Sequence, residues 1–171
     1  MTFQEKLIEM CACDSATEWV GDKTVREAWD TCHRADWMLW LLYNFRCDLR
    51  TLTHCKVVCA EYAREKMTDP RSIAALNGAW AFVRGEIGEV ELNRLAAAAA
   101  AAYYAADGVG GAADAAYAAA YAASAYAAAA DAADAAADAR YPILSQMAND
   151  IRKIVNADFV ENLVQNSAMH S

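Results

Sequence analysis

The residues of this chain best suited to chemistry are its six cysteines and three histidines. They fall as Cys11-x-Cys13, Cys32-His33, Cys47, His54-Cys55-x-x-x-Cys59 and a lone His170 in the tail. Cys55 and Cys59 are one helical turn apart and share a face, the spacing a chelating pair needs. No paired C-x-x-C knuckles accompany them, and Cys32, Cys55 and Cys59 sit on apolar stripes. A free cysteine in such a stripe acts as a small buried hydrophobe. The expectation is therefore structural thiols, with no bound metal and no cofactor. No nucleophile is spaced with a base. Gly108-Val109-Gly110-Gly111 follows a helical segment, not a strand, so it fails as a nucleotide loop. No enzyme is expected.

The carboxylates are the second group. Asp131, Asp134 and Asp138 repeat at helical spacing. At 100° per residue they fall with Tyr117, Tyr121 and Ser124 in one arc of roughly 160°. Such a face keeps an alanine-rich helix soluble, and tyrosine beside acid also suits a protein-binding patch. Asp36 is different, because it falls in the centre of an apolar face. A carboxylate there is costly unless it is paired. It is expected to be a buried structural acid that meets Arg50, His54, Arg84, Arg94 or helix-end amides.

The elements that must position these residues read as helices throughout. Thr2-x-x-Glu5, Ser15-x-x-Glu18 and Thr24-x-x-Glu27 each have the capping-box pattern. The third opens a predicted helix over about 25–46, with Val25, Ala28, Trp29, Cys32, Leu39, Trp40 and Tyr43 on one face of about 120°. A helix over about 48–67 buries Leu49, Leu52, Cys55, Cys59, Ala63 and Met67. Asp69-Pro70 supplies a cap and a first-turn proline for a helix to Arg84.

Residues 95–140 are mostly alanine, the best helix former. The glycine break divides them into predicted helices over about 89–107 and 112–140, an antiparallel hairpin over 89–140. Its alanine face allows close helix approach, near the short end of the usual ~8–10 Å range. Pro142 stops or kinks the second helix. A last helix over about 143–156 follows, then an apolar cluster of Phe159, Val160, Leu163 and Val164 that docks on the body or on a second subunit. The C-terminal helical region is taken as 143–165. The sum is an all-α, single-domain, multi-helix bundle of 171 residues.

The net charge is −8, with 12 Lys/Arg against 15 Asp/Glu in residues 1–94 and 3 against 8 in residues 95–171. An acidic chain is a poor binder of nucleic acid or anionic membrane and suits a basic partner. The longest uncharged run, Ala115–Ala130, is too short and too weakly apolar to span a bilayer. The first residues carry no apolar stretch of signal-peptide length, and six thiols without export fit a reducing cytoplasm.

One element resembles a known family. Cys32-His33-Arg34-Ala35-Asp36-Trp37-Met38-Leu39-Trp40-Leu41 is similar to the C-x-R-x-D-W-x-x-W-L element of a family of immunity proteins found in bacterial polymorphic-toxin loci and phage genomes. The resemblance continues at Arg84-Gly85-Glu86-Ile87, through the alanine-rich tract and into the amphipathic helix after it, most of residues 25–155. Where the family has Arg, Trp and Asp in that tract, this chain has Tyr and Asp. The resemblance implies a non-enzymatic, cytoplasmic antagonist of a protein toxin or defence effector.

Two other roles fit the residues. One is a phage anti-defence protein that sequesters a nucleotide signal, in a pocket built from Arg34, Trp37, Arg84 and Arg94 within one chain or across an oligomer interface. The other is a structural homo-oligomer. If the Tyr/Asp face receives a basic partner, replacing Asp131, Asp134 and Asp138 with Asn weakens binding and flattens its salt dependence. Titration calorimetry at two ionic strengths measures both, and unchanged affinity removes that face from the interaction.

Overall fold

The computed structural model describes residues 1–105 and 140–167. Among these residues there are nine α-helices and no β-strand. They are α1 (Phe3–Glu9), α2 (Asp14–Val20), α3 (Val25–Thr31), α4 (Ala35–Asn44), α5 (Leu49–Ala60), α6 (Pro70–Val83), α7 (Glu89–Ala105), α8 (Arg140–Ile154) and α9 (Ala157–Ser167). A 3₁₀ turn, Glu61–Lys66, continues α5. No described helix is long and apolar enough to cross a membrane. The second half of the expected hairpin, with Tyr117, Tyr121, Asp131, Asp134 and Asp138, lies outside the described residues.

Local chemistry explains most boundaries. Thr2 and Thr24 form capping boxes with Glu5 and Glu27, each hydroxyl accepting the N3 amide and each glutamate accepting the cap amide. The box expected at Ser15 does not form. Helix α2 starts earlier, with Cys13 as its N-cap, so Ser15 is inside it. The reason lies upstream. Cys11 adopts a left-handed φ of 59°, and Ala12 N–H donates to Leu7 O at 2.9 Å, turning the chain sharply out of α1. Arg46 ends α4 the same way, and Gly85 ends α6 with φ 79° and a Glu86 N–H to Ala81 O bond of 2.8 Å.

The expected helix over 25–46 is two helices. Residues 32–34 are extended or irregular, and Cys32 has ψ 127°. The segment over 48–67 is α5 followed by the tighter 3₁₀ turn. Asp69 caps α6 with Pro70 in its first turn, as the sequence predicts. Helix α8 runs from Arg140 to Ile154 and includes Pro142, and the helix over about 112–140 that Pro142 was expected to stop or kink lies outside the described residues.

Helix α5 divides the interior into two apolar clusters. Leu52, Cys55 and Cys59 face the larger one, built with α1–α4, α8 and α9. Val57 and Ala60 face a smaller one shared with α6 and α7. Helices α6 and α7 approach closely at Gly78, where an added Cβ would run into the Leu95 side chain. Helix α9 docks on the body, burying Val160 and Val164 beside α3, with Arg26 paired to Asp158 and to Glu161 at 2.9 Å.

Lys56 is the anomaly of α5. It is only 3% exposed, and no carboxylate among the described residues pairs with it. Burial lowers its ammonium pKa to about 8 from 10.5, only partly offset by the nearby Cys47 and Cys55 thiols. A lowered folded-state pKa means the folded chain binds this proton less tightly than the unfolded one. Below pH 8 the buried charge costs about 3 kcal/mol, relieved as pH rises from 8 toward 10.5. Lys56→Met is therefore expected to stabilise the chain at neutral pH. In urea denaturation across pH 7–10, the difference from wild type should shrink as the pH rises. A pH-independent difference would mean that Lys56 is solvated.

Candidate functional site: a tryptophan groove

Seven of the ten residues from Cys32 to Leu41 line one wall of a concavity of about 240 Å³. Helix α1 contributes Phe3 and Leu7, α2 contributes Ala16 and Trp19, α3 contributes Trp29, and α4 contributes Trp37 and Trp40. Four of the chain's five tryptophans thus line one groove. Trp29 is fully enclosed, and the other three are half-buried. Trp19 and Trp37 stand with ring centroids 5.8 Å apart, tilted by 52°, within the range of favourable aromatic pairs.

The break between α3 and α4 makes this arrangement. It frees α4 to turn its own face toward α1 and α2. Arg152 of α8 holds the break. Its Nε donates to Trp29 O at 3.0 Å, its Nη2 donates to Cys32 O, and its Nη1 reaches Asn149 Oδ1 at 3.0 Å. A guanidinium at a helix C-terminus satisfies orphan carbonyls and complements the dipole. Trp29 Nε1 donates to Val155 O at 3.1 Å, so α8 secures the tryptophan as well. The Cys32 thiol folds over the break and accepts Arg34 N–H at 3.4 Å.

Among the described residues lining the groove, Arg34 and Asp36 are the only charged ones. They pair with each other, Arg34 Nε to Asp36 Oδ1 at 2.8 Å and Nη2 to Oδ2 at 2.5 Å. Arg34 also lies over the Trp37 ring, 4.6 Å from its centroid. Lys23 lies 4.8 Å over Trp19 and donates to that residue's carbonyl at 2.6 Å.

This corrects the expectation for Asp36. It is half-buried at the groove, not central to the core, and its partner is Arg34, two residues away. The phase of the apolar face is reset at residues 32–34, and Asp36 enters α4 in its first turn, where a carboxylate is favoured. None of the four expected partners reaches it. Arg50 donates to Phe82 O at 2.5 Å, His54 meets the Trp80 ring, Arg84 pairs with Glu86 and Arg94 with Glu91. The pocket anticipated from Arg34, Trp37, Arg84 and Arg94 is likewise not assembled within one chain. Arg34 and Trp37 line the groove, whereas Arg84 and Arg94 do not.

Trp19, Trp29 and Arg152 are site residues that sequence reasoning missed. The Cys32–Leu41 element did single out Trp37 and Trp40 together with Arg34 and Asp36. Nothing local marks Trp19 or Arg152 as their neighbours.

The three thiols on apolar stripes, Cys32, Cys55 and Cys59, are buried as predicted, whereas Cys11 and Cys13 are exposed. Cys47 is buried as well. Burial pushes Cys47 and Cys55 up to about 12, and raises Cys32 and Cys59 as well. They stay protonated and unreactive at neutral pH. Among the described residues no group of three or more His, Cys, Asp or Glu could hold a metal ion. A second, shallower hollow carries His54, Glu61, Trp80 and Asp150. Its carboxylates are engaged, Glu61 by Arg64 and Trp80, Asp150 by Lys153 and Tyr62.

Arg152→Met keeps much of the side-chain volume and removes the clamp on α3. It should destabilise the chain by about 2–3 kcal/mol, the worth of a charged hydrogen bond to backbone left unmade. Urea unfolding followed by tryptophan fluorescence measures this. A change under 0.5 kcal/mol, the ordinary effect of a surface substitution, would show that the clamp contributes nothing.

Compared with family models, curated proteins and solved structures, this chain gives no match.

Proposed function

We propose that this chain is a non-enzymatic binding protein that neutralises a protein toxin or defence effector by direct contact, and that the tryptophan groove is a contact surface. One observation carries the reading. Four indoles converge on an apolar concavity whose charged groups neutralise each other. Tryptophan and arginine are the residue types that dominate binding energy at protein interfaces. The resemblance of residues 32–41 to immunity proteins points the same way, since those residues build one wall. The net charge of −8 favours a basic partner and speeds encounter with it. The Tyr/Asp face over 117–138 is a second contact surface in this reading, and the setting is the cytoplasm.

A nucleotide-sequestering role draws less support from the same geometry. Phosphate recognition uses uncompensated cations. Arg34, Arg84 and Arg94 are each engaged by a carboxylate, and Asp36 would face an incoming phosphate.

The test is native mass spectrometry of wild type and Ala16→Leu, purified gently from a host carrying the toxin or defence system. Ala16 is a small buried residue lining the groove, so leucine there fills it. Wild type should carry a stoichiometric protein partner that Ala16→Leu loses. A small-molecule mass increment instead would favour nucleotide sequestration, and a partner retained by both would separate neutralisation from the groove.

A further inference from the structure

We infer that the groove receives one indole side chain of the partner protein, presented within a basic segment. This rests on the binding reading above and specifies the partner's chemistry.

The first argument is that the concavity is kept open. Native interiors leave few voids larger than a water molecule. Here Ala12, Ala16 and Ala28 line about 240 Å³ of apolar space, where larger side chains would close it. The second is size. A cavity of about 150 Å³ takes benzene, so this one has room for a two-ring group.

The third is the polarity of the walls. Trp29 has already spent its N–H on Val155 O, so it offers only carbon to an occupant. Lys23 and Arg34 lie over the Trp19 and Trp37 rings, and Arg34 is paired. The described lining of the groove carries one carboxylate, Asp36, which accepts two bonds from Arg34 and has lone pairs to spare for an incoming donor. A planar two-ring group carrying one N–H donor meets these conditions, and among side chains that is indole.

The fourth is charge. Helix α2, which brings Ala16 and Trp19 to the groove, exposes Asp14 and Glu18 to solvent. Basic residues flanking the incoming tryptophan would complement them.

Spectra of the ¹⁵N-labelled full chain test this with two probes, indole and N-acetyl-tryptophanamide. The five indole N–H signals report position, because Trp80 lies in the other cluster and serves as an internal control. Both probes should give saturable shifts at Trp19, Trp29, Trp37 and Trp40, and none at Trp80. Ala16→Leu should abolish them. Ala12→Met, at the half-buried edge of the groove, does the same job should Ala16→Leu fail to fold. 1-Methylindole, which lacks the N–H, should bind roughly tenfold more weakly, the effect of one hydrogen bond lost.

Binding of indole but not of N-acetyl-tryptophanamide would overturn the inference in favour of a free small molecule. No shift with either probe, or equal shifts at Trp80, would also overturn it. The wider reading of neutralisation by contact would then stand or fall on co-purification alone.

Discussion

The end of α3 is the constraint on which the site depends. A helix that stops at Thr31 without glycine or proline leaves carbonyls that need donors. Arg152 supplies them from more than a hundred residues away along the chain. The clamp fixes where α3 ends, and that decides the phase at which α4 begins. The phase of α4 in turn decides that Trp37 and Trp40 face α1 and α2. The groove is thus set by a charge-to-backbone contact outside it, reinforced by the Trp29 indole bond to Val155 O.

Much of the helical architecture was legible in the sequence, because the signals were local. Thr2, Thr24 and Asp69 act as caps as their neighbours predict, Pro70 opens α6, and α5 buries Leu52, Cys55 and Cys59 as helical spacing predicts, although Leu49 of the expected face is exposed. What failed was long-range or conformational. Ser15 is a good cap residue in a place where the left-handed turn at Cys11 has already launched the helix. The break at residues 32–34 has no composition signal. It did leave a trace: Asp36 in the middle of an apolar face was the sign that one continuous helix was the wrong frame. An unpaired acid at the centre of a helical wheel argues as well for a phase break as for a distant partner.

Recognition of the site was partial for the same reason. W-x-x-W spacing and the adjacent Arg34 and Asp36 are local, and they do lie together. Arg84 and Arg94 were grouped with them on chemistry alone, yet each closes on a carboxylate two or three residues away. Short-range pairing of arginine with a nearby acid recurs in this chain, at Arg34, Arg64, Arg71, Arg84 and Arg94. In such a chain arginine is a poor guide to anion binding, because most of its charge is spent locally.

The walls of the groove are also the walls of the larger core. Phe3, Leu7, Val20, Trp29 and Met38 line the concavity and are at the same time buried members of the cluster that holds α1–α4 together. A partner seated there, as proposed, would complete the packing of the fold itself. Occupancy and folding are then one linked equilibrium: a ligand at a hundred times its dissociation constant adds about 2.7 kcal/mol to stability. The engaged chain would resist proteolysis better than the free one, so the amount of this protein a cell retains would track the amount of its partner.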